Sequence, residues 1–405
     1  MRPLMSLCAL LCGLLCTLAP ALAIAGAPRS LDERAVVELA RKHGPGMAAI
    51  AQQVHSAEAA AVGVGRYPNP QLGWQREHQP GHGFEDALAL TVPIDLSSQR
   101  ASRRHLAATA VQLARSRAAS QRGQGVLDAL LRFYETMVAE RRLAIAATQL
   151  ERLDRAAEVL RQRHQEGTAS GYELTRMELE GELARSALRT AEIARDGLRL
   201  ALSLQLGIDG GETLQLVGPL APTEAAQAEH EAEPSALREA RAAERTADNA
   251  REAADATYVP RFSLSGGVRR VEENESQWGY QAGLSMELPL NRPAAPLRAQ
   301  AKAARAQARA QAERLERTLL IERARAALLL SRTQAELQRF GSATRERVEL
   351  LGRAVQQGYL EGRRTLIELL DAQRTRTAVA YRELELALAA RQAELSLRAA
   401  RGEFQ

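Results

Sequence analysis

Two acidic side chains near the C-terminal end of the chain, Glu368 and Asp371, have the spacing that most suggests chemistry. They are three positions apart, so on a helix they lie on one face. Leu366, Leu369 and Leu370 beside them can pack while the acids point elsewhere. Carboxylates grouped in this way attract cations and repel anions, as charged rings do in channels. An exposed acidic helix start, which favours the helix dipole, has the same pattern.

The motifs of common enzymes are absent from the sequence. It has no phosphate-binding loop, no Gly-x-Ser-x-Gly and no His-Glu-x-x-His. His78 and His82 flank a turn and could suggest a metal site, but such a pair without a third ligand is more typical of a solvated loop. All three cysteines lie in the first 16 residues. We therefore predict a protein that is not an enzyme and that has no cofactor and no metal ligands.

The composition favours long helices over large sheets. Of the 405 residues 45% are hydrophobic, whereas only 3% are aromatic. Ala, Leu, Arg and Glu fill much of the chain, as in long packed helices. The net charge of +5 is carried almost wholly by arginine, which alternates with acids instead of forming a basic patch. Nucleic-acid binding is therefore not predicted.

The N-terminal segment 1–27 is typical of a signal peptide. Arg2 precedes an apolar run from Leu4 to Leu18, which Pro20 breaks. Small residues at 21, 23, 25 and 27 provide two cleavage sites, after 23 or after 27. An uncleaved anchor is the alternative, but the apolar run is short. Export would leave a mature chain without cysteine, in the cell envelope.

Landmarks recur along the mature chain and indicate two internal repeats. Four motifs in repeat one, at Pro45, Pro70, Pro93 and Gly167, recur after 189, 190, 196 and 195 residues. One insertion of about six residues explains the drift. We predict repeat one at 28–207, a linker at 208–233 and repeat two at 234–405. The linker contains Glu212–Val217, which is either a short strand or part of a flexible connection.

Each repeat reads as a helix, two strands, a long helix, a tight loop and another helix. The first helix is expected from Pro45 to Gly65, with proline at its first position. Four strands are expected at Gln71–Gln79, Asp86–Ile94, Arg261–Val271 and Gly279–Leu288. Their length of roughly nine to eleven residues suits tilted strands that cross a bilayer.

Heptad-like seams predict long helices that pack on one another. The helix from about Ser98 to His164 would be on the order of 100 Å long. One seam is Val126, Leu130, Phe133 and Met137, and the other is Leu337, Phe340, Thr344, Val348, Leu351 and Val355. A compact domain needs no such length, whereas a tube that spans the periplasm does.

Four amphipathic strands in one chain cannot close a barrel, and an open edge in lipid leaves backbone groups unpaired. Three copies of four strands would give twelve, within the range of known membrane barrels. The predicted fold class is therefore mainly α with a small β part, in which a trimer forms a twelve-stranded transmembrane β-barrel and a long α-helical barrel.

Three segments resemble the TolC family of outer-membrane efflux proteins: 69–72 (NPQL), 166–170 (EGTAS) and 359–373 (YLEGRRTLIELLDAQ). The resemblance covers essentially the whole mature chain. It implies a homotrimer in the outer membrane that extends into the periplasm and contacts outer membrane lipid. It also implies docking, through a periplasmic adaptor, on an inner-membrane pump, which we expect to be of the RND type.

The resemblance also implies roles for the two tip loops. Gly167, Thr168, Gly362 and Arg363 would meet the adaptor. The simpler interpretation, which is compatible with docking, is that the two glycines end helices in the left-handed conformation.

Three further residues match those that hold the family's tip closed. Tyr359 and Arg364 would be tied to the carboxylate of Glu173, by a hydroxyl and a bidentate guanidinium respectively. Ordinary exposed ion pairs are the alternative. Glu368 and Asp371 match paired acids of the family, so a trimer would gather six carboxylates at the periplasmic entrance and raise their pKa values. Repeat one has Glu173 and Arg176 at the aligned positions.

The segment 288–293 (LPLNRP) resembles the CzcC-like branch that serves heavy-metal cation efflux. The predicted function is accordingly the exit duct of a tripartite efflux system, with passive transport from the periplasm to the exterior. Two alternatives stay open: the outer membrane component of type I protein secretion, and a periplasmic coiled-coil scaffold without a pore.

Overall fold

The structure is a computed structural model that describes residues 29–64, 66–79, 83–94, 99–209, 214–222, 232–256, 260–272, 276–287 and 294–404. The predicted signal peptide, His82 and the segment 288–293 lie outside these residues.

The elements occur in the same order in both halves of the chain. The first half contains β1 (Arg29–Leu31), α1 (Glu33–His43), α2 (Met47–Val64), β2 (Gln71–Gln79), β3 (Gly83–Ile94), α3 (Gln99–Gln165) and α4 (Gly171–Leu206). The second contains β4 (Leu214–Leu216), α5 (Ser235–Ala256), β5 (Arg261–Glu272), β6 (Ser276–Glu287), α6 (Ala294–Leu360) and α7 (Leu366–Ala400).

The long helices form as their composition predicts. Helices α3 and α6 each have 67 residues, which corresponds to about 100 Å at about 1.5 Å per residue. They consist largely of strong helix formers, and the only proline in either, Pro296, lies in the first turn of α6, where it is tolerated. None of the described helices is long and apolar enough to cross a membrane.

The predicted helix from Pro45 to Gly65 is wrong at its start. Helix α2 begins at Met47, and Pro45 lies in the turn that follows α1. Gly46 has a φ of +83°, in the left-handed region, so α1 and α2 cannot form one continuous helix. The shorter helix α1 was not predicted, although Asp32 caps it by accepting a hydrogen bond of 2.7 Å from the Ala35 amide.

The strands form one antiparallel sheet in the order β2-β3-β5-β6, so β3 and β5 join the two halves of the chain. Strand β2 has the predicted bounds, and β5 is one residue longer than expected. Strands β3 and β6 both begin three residues early, because their pairing with neighbouring strands extends into the turns. Strands β2 and β6 are the edges of the sheet in a single chain.

The two faces of this sheet differ in polarity. One face carries large apolar side chains, of which Trp278 is 71% and Tyr280 94% exposed. These apolar side chains include Leu72, Trp74, Leu88, Leu90, Val92, Leu264, Val268, Trp278, Tyr280 and Leu284. The other face carries small and polar residues, namely Gln71, Gly73, Gln75, Thr91, Ser263, Ser265, Gly267, Gln281 and Ser285. The apolar face is therefore uncovered within one chain.

The connection between the halves contains a strand. Strand β4 pairs in parallel with β1, with Leu31 opposite Leu216. Leu214 and Leu220 are buried. The short-strand alternative for Glu212–Val217 is thus the correct one, within narrower bounds, because Leu214 within the segment and Leu220 just after it pack into the core.

Buried apolar residues form two clusters along the helices. The larger lies at mid-length and includes the predicted seam Val126, Leu130, Phe133 and Met137. The smaller lies near the loop between α3 and α4 and includes Met177, Tyr359 and Leu369. The second predicted seam is only partly correct: Val355 is buried, but Leu351 is 49% exposed.

Candidate functional site: the paired helix tips

The two tip loops have the same backbone geometry. Gly167 and Gly362 have φ angles of +73° and +75°. In each loop the amide after the glycine donates to a carbonyl of the preceding helix, from Thr168 to Arg163 and from Arg363 to Gly358, both at 2.8 Å. The predicted left-handed, helix-ending glycines are confirmed.

Both returning helices begin with a capping box. Glu173 Oε2 accepts from the Ser170 amide at 2.9 Å, and Glu368 Oε2 accepts from the Thr365 amide at 2.8 Å. The Ser170 and Thr365 hydroxyls accept from the amides of the two glutamates in return. Glu173 and Glu368 therefore each stabilise the start of their own helix.

The three residues of the predicted latch do not meet within one chain. Arg364 Nη1 lies 2.7 Å from Glu368 Oε1, four positions along its own segment, and not beside Glu173. Tyr359 is only 4% exposed. Its hydroxyl has no hydrogen-bond partner among the described residues. Burial raises the pKa of Tyr359, and the charge of Glu173 acts in the same direction, against that of Arg163.

Arg163, which the sequence did not reveal as a site residue, joins the two tips instead. Its Nη2 donates to the Leu360 carbonyl at 2.7 Å. Its guanidinium carbon lies 5.2 Å from the centre of the Tyr359 ring. The hydrogen bond links positions 197 apart in the chain. Only the tertiary structure could reveal such a pairing, because no local pattern marks it.

The acidic pair lies where its sequence pattern predicts. Leu366, Leu369 and Leu370 are buried, while Asp371 is exposed and Glu368 half exposed. The Thr365 backbone amide, and after it Arg364, lower the pKa of Glu368. In a single chain Glu368 is thus ionised and partly neutralised by a neighbouring guanidinium.

A second tie between the halves, also missed from the sequence, centres on the buried Glu180. It pairs with Arg176 at 3.0 Å in its own helix and with Arg374 of α7. Arg176, the residue aligned with Asp371, therefore pairs within α4 with the carboxylate that ties α4 to α7.

The four predicted docking residues lie at the exposed end of the helices. Thr168 and Arg363 are both exposed, beside the two glycines. Arg363 forms an ion pair with Glu361 within its loop, and the Thr168 hydroxyl donates to the Arg163 carbonyl at 3.0 Å. Both loops thus present compact, ordered surfaces.

Within the described ranges, no group of three or more histidine, cysteine, aspartate or glutamate side chains could hold a metal ion. His78 packs against the Phe84 ring, with 4.7 Å between ring centres.

The long helices and the amphipathic sheet together define the fold of outer membrane channel proteins. Residues 228–403, which cover nearly all of the predicted second repeat, match the model of the outer membrane efflux protein family. No curated protein matches the sequence significantly.

Three solved structures share the fold. A membrane protein from Pseudomonas aeruginosa has 20% identity and a TM-score of 0.78, over 91% of this chain and 90% of that one. VceC, an outer membrane protein from Vibrio cholerae, has 16% identity and a TM-score of 0.77, over 91% of this chain and 96% of that one. The open state of the MtrE outer membrane channel from Neisseria gonorrhoeae has 17% identity and a TM-score of 0.75, over 91% of this chain and 88% of that one.

Proposed function

We propose that this chain is the outer membrane channel of a tripartite efflux system and conducts substrate passively from the periplasm to the exterior. The observation that carries the proposal is the sheet, whose exposed apolar face and two open edges continue into helices of about 100 Å. Lipid would cover the apolar face, and neighbouring copies would pair with the edges.

Three copies would close a barrel of twelve strands, with the small and polar face towards the lumen. Mass measurement of the detergent-purified protein should give three protomers, and planar bilayers should show discrete conductance steps. A monomer with the full β-content, or trimers without conductance, would overturn the proposal.

A periplasmic adaptor, bridging to an inner-membrane pump of the RND type, is the proposed partner of the tip loops. Exposed Thr168 and Arg363 flank the two left-handed glycines and support this choice. Photocrosslinkers at these positions should capture the adaptor in cells. Tyr280 in the sheet provides the control position, and capture there but not at the tips would exclude tip docking.

Six carboxylates, from Glu368 and Asp371 of three chains, would form a cation-selective ring at the periplasmic entrance. The exposure of these acids beside buried leucines supports the ring. Glu368→Ala with Asp371→Ala should reduce cation selectivity and relieve block by multivalent cations added from the periplasmic side. Glu192→Ala with Asp196→Ala removes the same charge far from the tip and should change neither. Persistent selectivity in the first double variant would contradict the ring.

A closed tip in the assembled trimer is proposed to use Glu173, Tyr359 and Arg364. The buried Tyr359 hydroxyl, which has no partner in the part of the chain that the structure describes, supports this role, because such a group gains from a nearby acceptor. Arg364→Ser with Tyr359→Phe should raise single-channel conductance. Unchanged conductance would count against the latch.

Heavy-metal cations are the substrate class that we propose. An acidic entrance would favour cations, and the 288–293 segment resembles the branch that exports metals. Deletion of the encoding gene should lower tolerance to divalent transition metals, and re-expression should restore it. Loss of protein secretion with unchanged metal tolerance would favour the secretion alternative instead.

A further inference from the structure

A cavity of about 300 Å³ lies between α3, α6 and α7, between the tip and the mid-length cluster. Helix α3 contributes Ile145 and Arg152 to its lining, α6 contributes Arg345 and Glu349, and α7 contributes Arg376 and Glu383, among others. Three guanidinium groups and two carboxylates therefore face one space that both halves of the chain build.

Two of these arginines are already paired. Arg376 Nε lies 2.6 Å from Glu349 Oε1, and Arg345 Nε lies 3.1 Å from Glu383 Oε2. Arg376 is the deeper, with a side chain 14% exposed, whereas Arg345 lies at the mouth and is 64% exposed. The opposite charges within each pair cancel, so the net charge of the cavity lining comes from Arg152.

Arg152 is the lining arginine that has no close acidic partner in the described part of the chain, although the carboxylates of Glu349 and Glu151 act on it from a distance. Among the described residues, no acid lies within ion-pairing distance of its guanidinium, and none accepts a hydrogen bond from it. Burial lowers the pKa of Arg152, and the nearby Arg376 lowers it further, against the charges of Glu349 and Glu151. A bound anion would satisfy the donors of Arg152 and offset its repulsion from Arg376.

The remaining walls are largely apolar. Ile145, Val348, Val379 and the methyl groups of Ala144 and Ala380 line the cavity beside the charged groups. Thr148, Gln149 and Thr377 complete the lining, so an apolar wall stands beside polar and charged groups, a combination that small-molecule sites use for affinity and orientation. The volume suits a body of the size of a single aromatic ring.

We propose that this cavity binds a small monovalent organic anion, with its carboxylate directed to Arg152 and its apolar body against Ile145, Val348 and Val379. A dianion would leave one charge unmatched, because Glu349 and Glu383 already neutralise two of the three arginines. The proposal does not depend on channel function, since it concerns the cavity of the folded chain.

Benzoate is a suitable probe, and benzamide is its uncharged counterpart. Calorimetry on the full-length protein in detergent should show saturable benzoate binding, one per chain, and no benzamide binding. Arg152→Gln should weaken benzoate binding roughly tenfold or more, as expected for the loss of a charge-assisted hydrogen bond. Arg155→Gln provides the matched control, because Arg155 pairs with Glu151 on its own helix and does not line the cavity.

Equal binding of benzoate and benzamide, absence of benzoate binding, or unchanged affinity in Arg152→Gln would each overturn the proposal. The benzoate and benzamide comparison uses the natural sequence, so it decides the matter even if the variant does not fold. Conductance of the same preparation is measured separately, so failure of this site is distinguishable from failure of the channel.

Discussion

The two halves of the chain meet at several places along the long helices, and two of these places differ in how their polar groups are satisfied. At mid-length, which we call the middle junction (Glu33, Tyr134, Arg391, Glu394 and Arg398), every charged group has a close partner. At the tip junction (Arg163, Glu173, Tyr359 and Leu360), one guanidinium carries the contact and one buried hydroxyl has no partner among the described residues.

Arg391 is the centre of the middle junction. Its side chain donates to the carbonyls of Pro219, Leu220 and Ala221, at 2.9, 3.1 and 2.7 Å, and to Glu394 Oε2 at 2.6 Å. It is thus bound both to α7 and to the connection between the halves.

Glu33 adds a second set of contacts to the middle junction. Its carboxylate accepts from the Tyr134 hydroxyl at 2.5 Å and from Arg398 at 2.6 Å. These bonds connect α1, α3 and α7 around the larger apolar cluster. The middle junction therefore fixes the helices to one another.

The tip junction lacks such a network. Glu173 and Glu368 are engaged in their own capping boxes, and Arg364 is paired within its own segment. At the tip junction the polar contact between the halves is thus that of Arg163, supported by the smaller apolar cluster and by the Glu180–Arg374 pair further along α4. We expect a movement that opens the tip to break the Arg163 contact and to leave the middle junction intact.

The largest expected effect is that of Arg391→Gln. It would leave the buried Glu394 carboxyl without its partner, which costs about 3 kcal/mol in comparable buried pairs. We expect a clear fall in the midpoint of thermal unfolding, followed by circular dichroism. Arg382→Gln, which removes an exposed pair with Glu385 from the same helix, should change the midpoint little. Equal effects of the two variants would contradict the claim that the buried contacts of Arg391 stabilise the fold more than an exposed ion pair does.

Acidification should weaken the middle junction through Glu33. Burial acts to raise its pKa, but the hydrogen bonds from Tyr134 and Arg398 outweigh it, so the folded pKa lies below the usual 4.5. Its contribution is therefore present above the unfolded pKa and is lost as pH falls through the folded pKa.

The thermal midpoint should accordingly fall between about pH 5 and pH 3, and less steeply in Glu33→Gln. Glu394 has the opposite sign, because burial, its largest influence, raises its pKa even beside Arg391. Glu394 is present in both the natural protein and Glu33→Gln, so the difference between their two curves isolates the contribution of Glu33. Parallel curves would show that this carboxylate does not contribute.

Arg163→Gln should have the smallest effect on stability and a distinct effect on the channel. It removes the hydrogen bond to Leu360 and the contact with the Tyr359 ring, so the tips should separate more readily. We expect higher single-channel conductance in bilayers with a nearly unchanged thermal midpoint. Arg161→Gln, whose arginine pairs with Glu158 on its own helix, is the control. A drop in stability as large as that of Arg391→Gln would remove the distinction between the two junctions.

The elements that sequence patterns predicted well are those that depend on local periodicity. The bounds of α3 lie within about one residue of expectation, because 67 residues of helix formers need no distant contact to indicate a helix. The strand bounds are less accurate, since β3 and β6 extend until their partners end. The turn at Pro45 was misassigned because proline suits both a first helical position and a turn.

The sequence by itself determined the helical class, the four strands, the left-handed glycines of the tips and the exposed acidic pair, because each depends on spacing within a few residues. Tertiary structure alone decided that Arg163 contacts Leu360, that Glu180 pairs with Arg374 and that Arg391 binds the connection at 219–221. Arginine is abundant throughout this chain, and its long side chain can reach many acids and carbonyls. Which partner it takes depends on how the helices pack, and that packing brings together residues nearly 200 positions apart.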